Sequence, residues 1–176
     1  MHLKKIPIGK KIPDSVYAII EISSNSYPIK YEMDKTNNSI FVDRIIPTSM
    51  FYPCNYGFIN KTLSLDGDPL DILVPTQYPL HIGTVILCRP IGVLKMTDES
   101  GVDLKIIAVP DKSVTKEFNF IHDIQDISLI LKNKITHFFK NYKKLEKNKW
   151  VKIDSWGSKE EAKQEILQSI KRYKKK

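Results

Sequence analysis

The chain has 176 residues, of which 41% are apolar, 10% aromatic and 27% charged, and its formal net charge is +8. This length and composition predict one folded domain over 1–176 and exclude an intrinsically disordered chain, which would lack aromatic and β-branched residues. No apolar run approaches the roughly 18 residues of a membrane span, the basic N-terminus lacks the apolar segment of a signal peptide, and there are only two cysteines, so we predict a cytoplasmic protein without a membrane partner.

The positive charge is concentrated in the C-terminal part of the chain. Residues 132–176 contain 15 Lys and Arg against 5 Asp and Glu, whereas residues 1–131 contain 13 basic and 15 acidic residues. A strongly basic chain often binds nucleic acid, but that interpretation loses force when the excess is confined to one end. The lysine-rich segment 171–176 is typical of a solvated, frayed tail, so we expect the chemistry in the slightly acidic remainder.

The first two thirds of the chain predict short strands. Segments rich in β-branched and aromatic residues are separated by Pro, Gly, Asn and Asp, and they lie at 16–22, 29–33, 40–45, 84–95 and 105–109. Short strands at this spacing predict a small closed antiparallel β-barrel, OB-like, over about 15–110.

The spacing of the apolar residues changes in the last third of the chain, and it predicts a helical part at about 124–173. Apolar residues recur at steps of three and four from Ile127 to Leu145, which predicts one amphipathic helix with its lysines on the other face. Ser158 and Glu161 have the spacing of a capping box at the start of a second helix. The fold class is therefore predicted to be α+β, with C-terminal α-helices packed against the barrel.

Two clusters of carboxylates are the most informative feature of the sequence. Asp66, Asp68 and Asp71 lie within six residues around a Gly and a Pro, and a second group at 98–103 contains two more aspartates and a glutamate. Carboxylates crowded in this way raise one another's pKa unless a cation lies among them. Oxygen ligands without His or Cys favour Mg²⁺, Mn²⁺ or Ca²⁺, and the spacing from Asp66 does not fit a calcium EF-hand. A single acidic surface turn would need no metal, but two clusters favour a metal site.

Basic side chains accompany these carboxylates on the predicted strands. Lys30 and Glu32 share one face of their strand, Asp103 and Lys105 share a face of another, and Arg44 lies on the same face as apolar neighbours. Charged strand faces are usually only solvated, but cations beside metal-type carboxylates favour a site that holds a polyanion through metal ions. The sequence has no zinc-ligand spacing, nucleophile elbow or phosphate-binding glycine loop.

Three segments together resemble a known protein family. The runs DGDPLD at 66–71, FYPCNYG at 51–57 and RPIGVLKM at 89–96 closely resemble those of the soluble family I inorganic pyrophosphatases of bacteria. The resemblance is colinear over most of the chain. It implies hydrolysis of pyrophosphate to two orthophosphates, Mg²⁺ as the cofactor and a homohexameric assembly.

The resemblance also implies roles for individual residues. Asp68 matches the general base, which accepts a proton from a water that bridges metal ions. The metal ligands that the resemblance implies are Asp66, Asp71, Asp98 and Asp103. The side chains that it implies for phosphate binding are Lys30, Arg44, Tyr56, Lys105, Tyr142 and Lys143. Supporting positions in the same cavity are implied for Glu21, Glu32, Tyr52 and Glu99.

A nucleic-acid-binding module of the OB kind is the alternative interpretation. It is suggested by the net charge and by the strand pattern, but such a module needs exposed aromatic residues interleaved with Lys and Arg on its strands. Because the strand-rich part of the chain is net acidic, we expect inorganic pyrophosphate as the partner and not nucleic acid.

Overall fold

The structure is a computed structural model, and it describes residues 3–34 and 37–175. This part of the chain contains eight strands, two α-helices and short 3₁₀ turns at Leu3–Lys5 and Ile124–Asp126. The strands are Val16–Ile22 (β1), Ile29–Asp34 (β2), Ser39–Ile45 (β3), Asn55–Ile59 (β4), Asp71–Val74 (β5), Val85–Asp98 (β6), Gly101–Pro110 (β7) and Val151–Gly157 (β8). The helices are Leu129–Asn141 (α1) and Lys159–Lys175 (α2), and neither of them is long and apolar enough to cross a membrane.

Five strands close on one another to form a ring. β1, β4, β5, β7 and β6 are hydrogen-bonded in that order, and β6 pairs back with β1, while β8 extends the sheet beyond β6. β2 and β3 form a separate hairpin. Because α1 and α2 pack against these strands, the predicted α+β class is confirmed.

The prediction of a purely antiparallel arrangement is wrong for one pair of strands. β5 and β7 run parallel, with Asp71 opposite Lys105, whereas the other pairs in the ring are antiparallel. Parallel neighbours need a long crossover connection, and the chain supplies one as it passes through β6. The parallel pair matters for the site because it sets a carboxylate beside an ammonium group.

Every predicted strand is present, and those predicted at 84–95 and 105–109 extend toward a shared turn as β6 and β7. The sequence patterns did not predict β4, β5 or β8. β4 and β5 have only five and four residues, too few to show a clear alternation of apolar and polar positions. β8 lies between the two helices, in a segment for which the sequence patterns predict no strand.

The apolar residues of the ring belong to two packed clusters. Along β7, Ile107 and Val109 join a cluster with α1, while Ile106 and Ala108 join a cluster with α2. Because both faces of this part of the strand are buried, its sequence at 106–109 is a continuous apolar run and not an alternation. The strands that carry the charged residues are therefore fixed by packing on both faces.

The first helix is shorter than the apolar stripe predicts. α1 begins at Leu129, where the Ser128 hydroxyl accepts a hydrogen bond from the Leu131 N–H, and it ends at Asn141. The predicted continuation to Leu145 is wrong, and the side chain of Leu145 is exposed. The segment after the helix instead contacts the end of β6, where Lys143 pairs with Asp98.

The second helix begins with the predicted capping box. The Ser158 N–H donates to the Glu161 carboxylate at 2.7 Å, and the Glu161 N–H donates to the Ser158 hydroxyl at 3.4 Å. α2 continues to Lys175, so the prediction of a frayed tail is wrong for 171–175, while residue 176 lies outside the described residues. Arg172, near the end of this helix, is hydrogen-bonded to the rest of the fold.

Candidate active site

A cavity of about 240 Å³ opens where the ring, the β2–β3 hairpin and the segment after α1 meet. Its walls are dominated by charged side chains and tyrosines. Fourteen of the predicted site residues line it: Glu21, Lys30, Glu32, Arg44, Tyr56, Asp66, Asp68, Asp71, Asp98, Glu99, Asp103, Lys105, Tyr142 and Lys143. The fold therefore brings together side chains that are spread over most of the chain.

The turn that carries Asp66 and Asp68 is closed by its own hydrogen bonds. The Ser64 N–H donates to the Asp68 carbonyl at 2.6 Å, and the Asp68 N–H donates to the Asp66 carboxylate at 3.0 Å. Gly67 has a φ of 95°, in the left-handed region that favours glycine. This local geometry leaves both aspartates exposed on the cavity wall.

Lys105 is the centre of a buried charge cluster. Its Nζ lies 2.6 Å from Asp71 Oδ2 and 3.1 and 3.0 Å from the two carboxylate oxygens of Asp103. The parallel pairing of β5 and β7 places Asp71 beside it, and the two-residue step along β7 places Asp103 on the same face. The Tyr56 hydroxyl on β4 also donates to Asp71, at 2.5 Å. One oxygen of Asp71 therefore accepts both hydrogen bonds.

Burial and charge shift the protonation equilibria of this cluster. Lys105 is only 2% exposed, and burial alone would lower its pKa, but the charges of Asp103 and Asp71 outweigh burial and raise the pKa well above its usual range. Burial, together with the same two carboxylates, raises the pKa of Tyr56. At neutral pH the lysine therefore remains an ammonium group and the tyrosine a neutral donor, which are the forms that bind an anion.

A second charge cluster lies where the β6–β7 turn meets the segment after α1. The Lys143 Nζ is 2.6 Å from Asp98 Oδ2 and 3.3 Å from Glu99 Oε1, and the Lys149 Nζ is 2.9 Å from the same Glu99 oxygen. Burial would raise the pKa of Glu99, but the bonds to Lys149 and Lys143 outweigh it and lower the pKa to about 2. Glu99 is thus ionised throughout the physiological range and keeps the two lysines together.

The β2–β3 hairpin contributes a third charged wall. Lys30 pairs with Glu32, and its Nζ lies 3.6 Å from Asp43. An Nη atom of Arg44 lies 2.6 Å from Asp43, and its Nε lies 3.2 Å from a carboxylate oxygen of Glu146, in the segment after α1. The ion pair between Arg44 and Glu146 therefore joins two walls of the cavity.

Glu21 connects the ring to the hairpin. It is buried on β1, and its carboxyl accepts a hydrogen bond from the Met33 N–H at 2.7 Å. Burial raises the pKa of Glu21 to about 8, and the negative charges of Asp71 and Glu32 add to this effect. A large share of this carboxyl group is protonated at neutral pH, so Glu21 adds little negative charge to the cavity.

The two predicted tyrosines at 52 and 142 occupy different places. Tyr142 follows α1, stacks on Phe138 with ring centroids 5.3 Å apart, and lines the cavity. Tyr52 was predicted in the same cavity but lies behind its wall, where it is 2% exposed and packs against Tyr56 and Phe138 with centroid distances of 5.9 and 4.7 Å. Tyr52 therefore contacts the site through Tyr56.

Some residues outside the predicted set also line the cavity or hold its walls together. Lys149 and Ser100 line the cavity, and Glu146 pairs with Arg44. The one signal for Glu146 and Lys149 is that they follow Lys143 closely in the chain, and this signal is weak because Lys144 and Lys147 lie in the same segment.

The donor chemistry of the cavity fits a divalent cation that prefers oxygen. Among the described residues, no His or Cys lines the cavity, and its acidic side chains supply only oxygen atoms. Partial burial and the charges of Asp71 and Asp103 raise the pKa of Asp66, a repulsion that a bound cation would relieve. Within the described part of the chain, no three such side chains converge closely enough to hold an ion by themselves, so a bound cation would need further oxygen ligands.

Comparison with known proteins establishes the family. The family model described as inorganic pyrophosphatase matches residues 18–174. The chain belongs to the inorganic pyrophosphatase family. The matched range includes every residue that lines the cavity.

Individual relatives of this family match over almost the whole chain. The inorganic pyrophosphatase of Salmonella typhimurium is 58% identical over 176 residues, 100% of both chains. That of Buchnera aphidicola subsp. Schizaphis graminum is 62% identical over 175 residues, 99% of this chain and 97% of the relative. The solved inorganic pyrophosphatase of Coxiella burnetii has a TM-score of 0.92 at 47% identity, covering 96% of this chain and 99% of that one.

Proposed function

We propose that this chain is a Mg²⁺-dependent inorganic diphosphatase that hydrolyses pyrophosphate to two orthophosphates. The observation that carries the proposal is the cavity, in which cations and carboxylates face a common space of about 240 Å³. Pyrophosphate is a compact polyanion, so its site needs donors for its oxygens and a means of neutralising its charge. Membership of the inorganic pyrophosphatase family supports the same activity.

Four carboxylates would hold Mg²⁺, namely Asp66, Asp71, Asp98 and Asp103. When bound, Mg²⁺ would neutralise charge on the phosphate oxygens and lower the pKa of a coordinated water. Two lysines fix the positions of three of these carboxylates. Lys105 forms ion pairs with both Asp71 and Asp103, and Lys143 forms one with Asp98. Without such cations, neighbouring carboxylates would repel one another.

The cationic and phenolic side chains would bind the two phosphate groups from several walls of the cavity. Arg44 lies on the hairpin, Lys143 lies after α1, and Lys105 lies on the ring. Carboxylates orient these donors: Glu32 pairs with Lys30, and Glu99 pairs with Lys143. The remaining donors are the hydroxyl groups of Tyr56 and Tyr142. Donors fixed in advance stabilise the charge of the leaving phosphate at little reorganisation cost.

Asp68 is proposed as the general base. Its carboxylate is exposed on the cavity wall, at the end of the Asp66–Asp68 turn, and is accessible to solvent. As the water oxygen bonds to phosphorus, Asp68 accepts the water proton, and the bond from that phosphorus to the bridging oxygen breaks. The leaving phosphate keeps the bridging oxygen and its electron pair, and the lysine and arginine side chains stabilise that charge.

A phosphate-release assay tests the proposal. Purified protein should release two phosphates from each pyrophosphate when Mg²⁺ is present and none when a chelator removes it. Failure to detect metal-dependent release would contradict the enzyme hypothesis. Binding of a single-stranded oligonucleotide at physiological salt without any turnover would instead favour the nucleic-acid-binding alternative, which the carboxylate-rich cavity does not support.

We also propose that the protein is a cytoplasmic homohexamer, with no nucleic-acid or membrane partner. Leu129 and Ile130 at the start of α1 are each 70% exposed, and a subunit contact would remove these apolar side chains from water. Size-exclusion chromatography with light scattering should give a mass six times the 20.3 kDa of the chain. A monomer at micromolar concentration would contradict this part of the proposal.

A further inference from the structure

The end of α2 is attached to the loop that carries Asp66 and Asp68, and we propose that Arg172 is a positioning residue for these two carboxylates. The inference rests on the proposed function, since it assigns Arg172 a role toward groups of that site. Arg172 lies outside the cavity lining, so its effect is transmitted through the loop.

Leu63 is the point of attachment. Its N–H donates to the carbonyl of Ser169 at 3.0 Å, and its carbonyl accepts a hydrogen bond from Arg172 Nε at 2.7 Å. The carboxylate of Glu165, two turns earlier in α2, accepts a hydrogen bond from an Nη atom of the same guanidinium group. The planar guanidinium group of Arg172 therefore acts as a fork, with one hydrogen bond to Glu165 of α2 and the other to Leu63 of the loop.

The loop depends on this attachment because its tip has little packing of its own. Residues 65–68 are all exposed. At the base of the loop, the Thr62 hydroxyl donates to the Ile59 carbonyl at 2.5 Å and accepts from the Leu70 N–H at 2.9 Å. Between this base and the tip, the bonds of Leu63 join the loop to α2.

A displacement at Leu63 reaches the two carboxylates directly. The next residue, Ser64, donates its N–H to the Asp68 carbonyl, so the attached peptide and the aspartate turn are continuous. Asp71 differs, because it lies on β5 and is fixed by the pairing of the ring. Loss of the Arg172 bond should therefore move Asp66 and Asp68 while Asp71 keeps its place. Displacement of a catalytic group by about 1 Å can reduce a rate by about 100-fold.

The neighbours of Arg172 provide a matched control. Lys171 and Lys174 lie in the same turns of α2 and are exposed, and neither is hydrogen-bonded to the loop at 60–70 within the described part of the chain. The Arg172→Met variant removes the fork and keeps an unbranched apolar stem. The Arg172→Lys variant keeps the charge without the fork geometry, and the Lys171→Met variant removes one charge from the adjacent position.

Hydrogen–deuterium exchange of the metal-free proteins is the first measurement. Peptides covering 61–68 should exchange about tenfold faster in Arg172→Met, as expected for the loss of one charge-assisted hydrogen bond, and at the wild-type rate in Lys171→Met. In steady-state kinetics, Arg172→Met should lower kcat for pyrophosphate about tenfold with a KM within about twofold of wild type, and raise the Mg²⁺ concentration needed for half-maximal rate. Arg172→Lys should fall between these values.

Unchanged exchange over 61–68 in Arg172→Met would overturn the inference, and so would faster exchange with wild-type kcat and Mg²⁺ dependence. Should Arg172→Met fail to fold, Arg172→Lys decides the matter, because wild-type exchange and kinetics in that variant would show that the fork is unnecessary. Failure of the proposed function has a different signature. The wild-type protein would then release no phosphate, while the exchange difference between Arg172→Met and Lys171→Met would remain.

Discussion

The lysines of the cavity and the lysines at the end of α2 are the same residue type in opposite environments. Lys105 and Lys143 are 2% and 7% exposed, and each lies within ion-pair distance of two carboxylates. Lys171 and Lys174 are exposed on the helix surface. All four count equally toward the net charge of +8. A buried ammonium group is stable only with the carboxylates that surround it, whereas an exposed one is stabilised by water, so the number of lysines alone does not locate the functional charges.

The largest effect is expected from the carboxylate side of the cavity. Asp68→Asn keeps the shape of the side chain but removes the proposed base, so kcat should fall by about 10²–10⁴-fold. The melting temperature should change little, because Asp68 is exposed. Phosphate release at neutral pH measures the rate, and Asp154→Asn on β8, outside the cavity lining, is the matched control. Wild-type turnover in Asp68→Asn would show that another group is the base.

Lys105→Met tests the buried half of the comparison. The substitution leaves Asp71 and Asp103 without their shared ammonium group, and loss of one partner from a buried ion pair costs about 3–5 kcal/mol of unfolding free energy. Urea unfolding of the metal-free protein should show this loss. Added Mg²⁺ should restore part of the stability, because it returns positive charge to the same carboxylates. A loss below about 1 kcal/mol would contradict the account of this cluster.

Glu21→Gln tests the pH dependence that burial imposes on the cavity. The pKa of Glu21 is raised from an ordinary 4.5 to about 8, so between these values the folded state keeps a proton that the unfolded state has lost. The unfolding free energy of the metal-free wild type should therefore fall as pH rises from about 5 to about 8, by about 1–3 kcal/mol. Gln can still accept the Met33 hydrogen bond and does not titrate, so its stability curve should lack this decline. If the unfolding free energies of the wild type and of Glu21→Gln followed parallel curves from pH 5 to 9, the raised pKa of Glu21 would be contradicted.

The smallest effect is expected from the exposed lysines. Lys171→Met and Lys174→Met should each change the unfolding free energy by less than about 0.5 kcal/mol and leave the rate of phosphate release unchanged. Thermal unfolding and the same assay measure both quantities. A clear loss of activity in either variant would mean that the exposed end of α2 contributes to the reaction, and the contrast with the cavity would no longer hold.

Local features of this protein were predictable because their determinants are close together in the chain. The Ser158–Glu161 capping box and the span of β1 follow from patterns a few residues long. The aspartate turn was recognised in the same way, and it also carried the resemblance to the family. Side-chain periodicity and backbone hydrogen bonding act over one or two turns, so a short segment contains the information that they need.

Only the tertiary structure decided which distant groups meet. The parallel pairing that sets Asp71 beside Lys105, the position of Tyr52 behind the cavity wall, and the contact of Lys149 with Glu99 could not be read from neighbouring residues. The bond from Arg172 to Leu63 spans 109 positions in the chain. Such partners are selected when the ring closes and the helices pack on it. A lysine or an arginine has the same local pattern whether it ends in water or against a carboxylate, so only the folded chain decides which of the two it meets.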